Sequence, residues 1–157
     1  MSNPIEAGNP GLVEHFTGMH RACDALWSEV EEAVEAKDGQ KVASGWRRFD
    51  ASLRRHLAME EEVIFPAFEQ ATGMFDSGPT HVMRSEHRQM RGVLDQMETA
   101  HAAEDYPELL DQGDTLLMLI QQHNVKEEGM LYPMAEQHLA SRWPELRERL
   151  LPYEDRS

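Results

Sequence analysis

Two segments of the sequence each contain a histidine followed four residues later by a glutamate. The first is HLAMEEEVIFP, residues 56–66, and the second is HNVKEEGMLYP, residues 123–133. A shift of 67 residues superposes the two segments and also places His20 on His87. A duplicated unit is expected to fold the same way twice, so the repeat bears on the architecture. It also duplicates six candidate metal ligands, which are His20, His56, Glu60, His87, His123 and Glu127.

The spacing of these residues suits metal binding. A His and a Glu four residues apart lie one helical turn from each other on the same face, so both can reach one centre. Burying a carboxylate among apolar side chains is unfavourable by several kcal/mol unless a cation or hydrogen bonds compensate it. A pair of ions would satisfy two such carboxylates, because each carboxylate can span both ions. Imidazole and carboxylate together suit Fe, Mn or Zn. We therefore predict a dinuclear metal site.

Glycine and proline are scarce inside four long segments and gather between them, which is typical of helices joined by short turns. The predicted helices run over about residues 10–37, 40–71, 77–104 and 105–138. Asn9 is the expected cap of the first helix, with Pro10 in its first position. Ser77 is expected to cap the third helix, just before Pro79. Pro66 is expected to kink or loosen the last turn of the second helix.

Apolar residues in the second and fourth segments recur in alternating steps of four and three, the pattern of a helix packed in a bundle. These apolar positions form the seam of each helix, the stripe that packs against the other helices. In both seams a His and a Glu occupy positions that should be buried away from water. The seam of the fourth segment is Leu109, Gly113, Leu116, Ile120, His123, Glu127, Met130 and Met134. Methionines also follow helical spacing, and those expected in the core are Met83, Met90, Met97, Met118, Met130 and Met134.

No convincing run alternates apolar and polar residues between turn signals, so a sheet is not expected. The predicted fold class is all-α: an up-down-up-down antiparallel four-helix bundle with a short C-terminal fifth helix. We expect a single domain over residues 1–157, with the bundle core at about 10–140 and the fifth helix at about 141–151, ending before Pro152. The four candidate histidines fall in the middle of their helices, so the bundle should bring them to a similar depth.

The composition argues against several classes of function. A net charge of −14 opposes binding to nucleic acid or to an anionic membrane surface, because both need a basic patch. No run approaches transmembrane length, and the N-terminus lacks the basic start and apolar core of a signal peptide. Cys23 is the one cysteine of the sequence, which excludes an internal disulfide and favours a reducing compartment. We expect a cytoplasmic monomer or homodimer.

The order of the motifs resembles the hemerythrin-like, HHE cation-binding domains over about residues 10–140. That family's signature is a lone His, an HxxxE motif, a second lone His and a second HxxxE motif, and this chain contains all four. The segments EEVIFP and EEGMLYP are also similar to the family's sequence after the ligand histidines. The resemblance implies a non-haem di-iron centre inside a four-helix bundle.

By the family's pattern, His20 and His56 would bind one iron, and His87 and His123 would bind the other. The glutamates of the two HxxxE motifs would bridge the ions together with an oxo or hydroxo group, and Zn or Mn could substitute for iron. Each iron would keep an open position, as a reactive site requires. The resemblance thus implies a protein that binds or senses a small diatomic molecule or peroxide, with O2, NO and peroxide as candidates, or that handles iron.

Several alternatives stay open beside this interpretation. Oxygen-carrying hemerythrins place a second His four residues from the first on the third helix, where this chain has Met83 and Arg91. Reversible oxygen carriage is therefore not favoured. A di-iron redox enzyme that reduces nitric oxide or decomposes peroxide is the alternative function, and a sensor that reports metal state to a partner is another. A ferritin-like oxidase needs two ExxH motifs, and only Glu98 to His101 fits that pattern.

Five further residues lie near the candidate ligands in sequence. His15 and His81 are turned off the ligand face and are expected near the surface, although either could add a ligand if a helix end unwinds. Glu61 and Glu128 follow the bridging pair and are expected to support the ligands rather than to bind the metal. Cys23 lies one turn after His20 and is expected to be a small buried residue.

Overall fold

The computed structural model describes residues 10–154, and its elements there are helices joined by short turns. In chain order they are α1 (Leu12–Glu35), α2 (Gly39–Met59), a π-helical turn (Glu60–Ile64), α3 (Phe65–Thr72), α4 (Pro79–Ala102), α5 (Tyr106–Lys126), a second π-helical turn (Glu127–Leu131), α6 (Tyr132–Leu139), a 3₁₀ turn (Ala140–Arg142) and α7 (Trp143–Glu154). Four rods result: α1, α2 with α3, α4, and α5 with α6. The predicted all-α bundle is confirmed. Within the described range, no helix combines the length and apolar character needed to cross a bilayer.

The start of α1 is stabilised by a side chain from the other half of the chain. The helix begins two residues after Pro10, so the prediction that this proline occupies the first helical position is wrong. Gly11 stands at the N-cap and offers no capping side chain, and the predicted cap Asn9 lies outside the described residues. Glu136 of α6 accepts a hydrogen bond from the Val13 N–H at 3.1 Å instead. A carboxylate at this position satisfies an N–H that the helix leaves unpaired.

At the start of α4 the equivalent carboxylate comes from α3 and bonds a side chain instead of a backbone N–H. Glu69 accepts a hydrogen bond from the Thr80 hydroxyl at 2.7 Å in the first turn of α4. The residue before the helix is Gly78, whose φ of 94° lies in the left-handed region that favours glycine. The predicted Ser77 cap is therefore wrong. The shift of 67 residues that relates the two sequence segments also relates these two contacts, so the repeat extends to tertiary structure.

The two π-helical turns begin at the candidate bridging residues Glu60 and Glu127. In each turn an N–H bonds the carbonyl five residues earlier, from Phe65 to Glu60 and from Tyr132 to Glu127. The residue that follows each donor is a proline, which has no N–H to continue the ladder. The loosening predicted near Pro66 therefore takes the form of a wider turn that precedes the proline.

A π turn holds more residues than an α turn and rotates the apolar face that follows it. The seam predicted from an unbroken heptad-like pattern is wrong at the end of the fourth rod, although it holds at Val63 and Ala67 after the equivalent turn of the second rod. Met130 is 47% exposed and Met134 is half-buried, while Leu131 and Ala135 take the core positions. Met118 is 61% exposed, so its predicted place in the core is also wrong. The methionines predicted at 83, 90 and 97 are buried.

The apolar core has two parts, and the candidate ligands lie between them along the rods. One part contains Trp27, Trp46 and Phe49 and lies toward the start of α2. The other part contains Phe16 and Phe68 and is closed by α7. Apolar packing on both sides leaves the polar cluster little freedom to rearrange, because protein cores are packed as densely as organic crystals.

The fifth helix predicted at about residues 141–151 is α7, which begins at Trp143 and continues to Glu154. Its buried residues Leu146 and Leu150 join the part of the core that contains Phe16 and Phe68. The prediction that it ends before Pro152 is wrong, because Pro152 lies inside its last turn. A proline there removes a single helical hydrogen bond from an exposed surface, which is tolerated near a helix end.

Candidate metal centre

All six predicted ligands are buried in the middle of the bundle. They come from the four rods, with each glutamate at the first position of a π-helical turn. Their nitrogen and oxygen atoms form two groups, and within each group the atoms lie within 4.8 Å of one another. One group is His20, His56, Glu60 and Glu127, and the other is Glu60, His87, His123 and Glu127. Both glutamates belong to both groups, which is the arrangement that a pair of bridged ions needs.

The two carboxylates divide their oxygens between the groups. Oε2 of Glu60 lies 3.4 Å from Nε2 of His56, and Oε1 lies 3.1 Å from Nε2 of His87. Oε1 of Glu127 lies 3.0 Å from Nε2 of His20, while its Oε2 lies 2.9 Å from Nε2 of His123. Each carboxylate is thus aimed at two points, and each point is faced by two imidazole nitrogens. This geometry fits two cations with two bridging carboxylates.

The group around His87 and His123 contains four buried polar atoms that face one another. Nε2 of both histidines, Oε1 of Glu60 and Oε2 of Glu127 are buried, and although the two His–Glu pairs approach to 3.1 and 2.9 Å, none of these atoms forms a well-aligned hydrogen bond among residues 10–154. A buried polar group without a partner is unfavourable by roughly 1–3 kcal/mol. Four such atoms pointing at one place fit a cation, which would satisfy all of them together.

Outer carboxylates hold three of the four imidazoles in the orientation that ligation requires. Nδ1 lies 2.7 Å from a carboxylate oxygen in each pair, and the pairs are His20 with Glu128, His87 with Glu61 and His123 with Glu86. A carboxylate can only accept here, so Nδ1 carries the proton, and in the neutral imidazole the Nε2 lone pair faces the centre. Nδ1 of His56 has no such partner within the described range. Such outer contacts fix the tautomer of ligating histidines.

The electrostatics of the centre are those of an anionic site that attracts protons or cations. Burial opposes a charge on His87, but its contacts with Glu60 and Glu61 outweigh burial and raise the pKa of His87 to about 9. The pKa of His123 is raised in the same way by Glu127. Although burial acts against it, the charge of His56 and the contacts with both neighbouring histidines hold the pKa of Glu60 well below its usual range.

Tyr132 is a member of the site that the sequence analysis did not identify. Its hydroxyl lies 2.5 Å from Oε2 of Glu60 and 2.7 Å from Oε1 of Glu127. The same oxygen lies 3.0 Å from Nε2 of His20 and 3.4 Å from Nε2 of His56. Burial and the charges of the two glutamates raise the pKa of Tyr132 well above its usual value, so the phenol keeps its proton here.

Glu86 was missed as well, for a reason visible in the repeat. Its counterpart at the 67-residue shift is Met19, so the comparison of halves gave it no support. Tyr132 could have been found by comparison with Phe65, its counterpart in the repeat. The two aromatic residues occupy equivalent positions and differ by one buried hydroxyl group. Glu61 and Glu128 support the histidines of the opposite half, as expected.

The remaining candidates lie away from the six residues. His81 is exposed. His15 is mostly buried, and its Nε2 lies 3.4 Å from Glu154 of α7. Cys23 is buried as predicted, and burial raises the pKa of its thiol to about 12. None of these three belongs to the two His-Glu groups found within residues 10–154.

A small cavity adjoins the centre. Its volume is about 20 Å³. A space of roughly 10–15 Å³ is enough for one water-sized molecule. The cavity is lined by Met19, His20, Cys23, Leu53, His56, Leu57, Met90, Ile120, His123 and Asn124. Most of these side chains are apolar, and three are candidate ligands from both groups.

Residues 11–135 of the chain match the family described as the hemerythrin HHE cation binding domain. The chain belongs to this family. The match covers α1 to α5 and the first residues of α6, and it includes all six predicted ligands. A His/Glu centre in this fold therefore agrees with cation binding, and the buried donor set supports it independently.

One curated relative is a protein named DNA nickase from Nostoc sp. (strain PCC 7120 / SAG 25.82 / UTEX 2576). It is 24% identical to this chain over 122 residues, which cover 78% of this chain and 32% of the relative. The chain thus spans about a third of the length of that relative. No solved structure matches the chain.

Proposed function

We propose that this HHE domain binds two iron ions and that the loaded centre binds a small diatomic molecule or peroxide. His20 and His56 hold one ion, His87 and His123 hold the other, and Glu60 and Glu127 bridge them. The observation that carries this proposal is the division of each carboxylate's two oxygens between two pairs of imidazole nitrogens. A single ion would leave one oxygen of each buried carboxylate without a cation.

The donor set supports iron. Each ion would have two neutral imidazoles and two carboxylate oxygens, a set suited to Fe, Mn or Zn. The one cysteine of the chain is buried with its thiol held protonated, so no thiolate draws the preference toward softer metals. Two protein carboxylates alone leave the ions with excess positive charge, which an oxo or hydroxo bridge would reduce. Zn and Mn stay as substitutes that the same ligands would accept.

The cavity beside the centre supports a small ligand. Its volume of about 20 Å³ admits one molecule of roughly the size of water and excludes organic substrates. Its lining is mostly apolar, which suits a weakly polar diatomic such as O2 or NO. Loaded iron would supply the redox chemistry. The protein's part is to hold the ligand beside the centre and keep bulk water away from it.

The nickase similarity adds no DNA-directed role to this proposal. It covers a minor part of that relative. A net charge of −14 also opposes binding to a phosphate backbone. We therefore propose a small-molecule ligand rather than a nucleic acid as the partner of this domain.

The test is metal analysis together with near-ultraviolet spectroscopy of the purified protein. We expect about two irons per chain and an oxo-bridge absorption. Glu60→Ala and Glu127→Ala should each lose bound metal and lower the melting temperature, because a bridging ligand serves both ions. Glu69→Gln is the matched control, since Glu69 is a buried carboxylate of α3 outside the ligand groups. Full metal content in Glu60→Ala would contradict the bridging assignment.

Binding and turnover are separated by a second measurement on the same iron-loaded protein. A binding or sensing protein changes its spectrum on addition of NO or peroxide and then consumes no more of either compound. A redox enzyme consumes either compound in the steady state when a reductant is supplied. We expect the spectral change without sustained consumption.

A further inference from the structure

The two halves of the centre differ at one buried atom, the hydroxyl of Tyr132. This oxygen lies within 3.4 Å of the four ligand atoms of the His20 half, one from each of His20, His56, Glu60 and Glu127. The counterpart of Tyr132 in the repeat is Phe65, whose ring centroid lies 5.4 Å from that of His87. Phenylalanine has no oxygen, and the four ligand atoms of that half have no hydrogen-bond partner in the described part of the chain.

The position of the hydroxyl is informative because a cation would use the same four atoms. Metal–nitrogen and metal–oxygen bonds of this type are about 2.0–2.2 Å long. The hydroxyl lies 2.5–3.4 Å from these atoms, so it is beside the point on which they converge. An ion at that point and an undisplaced hydroxyl would be in direct contact. The oxygen must therefore bond the ion or move away from it.

The surroundings of the ring leave little room to move away. Tyr132 is fully buried, and its ring centroid lies 5.5 Å from those of Phe16 and His20. Its backbone is fixed at the first residue of α6, directly after a π-helical turn. Withdrawing the ring would open a cavity in a packed core, which is unfavourable. A shift of a few tenths of an ångström keeps the oxygen within bonding distance.

We propose that Tyr132 is a fifth protein ligand of the ion held by His20 and His56, which makes the two ions of the centre chemically different. When the ion binds, a metal–oxygen bond forms, the phenol O–H bond breaks, and the proton leaves to solvent without electron transfer. A phenolate is an anionic donor and stabilises a trivalent ion more than a divalent one. This role of Tyr132 depends on the dinuclear centre of the proposed function.

The test uses the visible spectrum of the iron-loaded protein after oxidation in air. Wild type is expected to show a phenolate-to-iron(III) charge-transfer band, and resonance Raman excitation in that band should show phenolate ring modes. Tyr132→Phe should lose the band while it keeps iron. The chain has three tyrosines, so Tyr106→Phe and Tyr153→Phe are matched controls that should keep it. Phe65→Tyr should strengthen the band by adding a phenol to the other half.

Two results would overturn the ligand role of Tyr132. One is wild type with two irons per chain and no band, which would leave the dinuclear centre standing. The other is one iron in wild type and two in Tyr132→Phe, which would make Tyr132 a block to the first position and would also contradict the two-iron content proposed for wild type. Wild type that takes up no iron, manganese or zinc would instead contradict the proposed function. The Raman measurement needs no variant, so a poorly folding Tyr132→Phe would not prevent the test.

Discussion

Nδ1 of His123 lies 2.7 Å from Oε1 of Glu86, which joins α5 to α4 at the outer edge of the centre. The other oxygen of Glu86 forms an ion pair with Lys126 on the next turn of α5. Contacts with Lys126 and His123 outweigh partial burial and lower the pKa of Glu86, so the carboxylate is charged and Nδ1 must donate. His123 is thereby fixed with its free nitrogen toward the candidate metal position.

Glu86→Gln is expected to weaken metal binding by about 10–100-fold, the usual effect of losing an outer carboxylate partner. The neutral amide is a weaker acceptor and permits the wrong tautomer of His123. Competition with a chromophoric chelator measures the change. Glu145→Gln is the control, because it breaks a surface ion pair with Arg142 that lies away from the centre. Equal affinity in Glu86→Gln and wild type would show that the contact does not tune the metal.

Metal removal should destabilise the fold by a predictable amount. The ligands converge only in the folded chain, so at free metal a thousandfold above Kd each bound ion adds about 4 kcal/mol to the free energy of unfolding. For a chain of this size that corresponds to a fall of roughly 8–16 °C in Tm for each ion removed by chelation. Differential scanning calorimetry with and without EDTA measures it. The same chelator should leave the Tm of Glu60→Ala almost unchanged, and a large fall there would mean that metal stabilises the fold elsewhere.

The pH dependence of the metal-free protein should follow His87. Its pKa of about 9 in the folded protein is above the ordinary value of 6.5, so protonation favours the folded state. That contribution is fully present below pH 6.5 and is lost as the pH rises through about 9. We expect the Tm of the metal-free protein to fall across this window. Apparent metal affinity should rise over the same range, because a proton no longer competes for the site.

Calorimetric titration in buffers of different ionisation enthalpy tests the second part of this prediction. Metal binding near pH 7.5 should release protons, and fewer should be released near pH 9.5. His15 is the comparison, since burial and nearby Arg147 lower its pKa and it lies outside the ligand groups. His15→Gln should keep the proton release of wild type. Proton release that does not change with pH would contradict the role given to His87.

The residues of the centre that could be predicted are those that occur in both halves of the sequence repeat. His20 matches His87 and each HxxxE motif matches the other, so six polar residues in apolar seams pointed to one place. The heptad-like spacing then placed them mid-helix, where an antiparallel bundle must bring them to one level. Residues that differ between the halves, such as Glu86, lacked this support.

The π-helical turns were beyond the sequence pattern for a physical reason. A periodicity analysis assumes a constant 3.6 residues per turn. At residues 60–64 and 127–131 the backbone is π-helical, so each N–H bonds the carbonyl five residues earlier rather than four. In the second of these turns Met130 is exposed and Leu131 is buried, whereas the corresponding Val63 and Ile64 of the first turn are both buried. The second turn also precedes Tyr132, whose hydroxyl reaches the centre.

Gly113 is expected to be irreplaceable in the seam of α5. A Cβ built at this position would lie 2.1 Å from Cζ2 of Trp27, which is itself 3% exposed and packed in the core. Alanine normally stabilises a helix relative to glycine by about 1 kcal/mol. Overpacking a core costs about 1–3 kcal/mol and here the indole cannot swing into solvent, so the clash should dominate. We expect Gly113→Ala to lower the free energy of unfolding by up to about 2 kcal/mol, measured by urea denaturation.

Gly92→Ala is the matched control for this substitution. Gly92 lies inside α4 and is exposed, and a Cβ there would meet no atom of residues 10–154 within 4 Å. The helix-propensity gain should then appear without a clash, as a stabilisation of about 0.5–1 kcal/mol. If Gly113→Ala lowers the free energy of unfolding and Gly92→Ala raises it, the close approach of α5 to the indole of α1 is established. A stabilised Gly113→Ala would mean that Trp27 can repack at little expense, and that the two helices have room to separate.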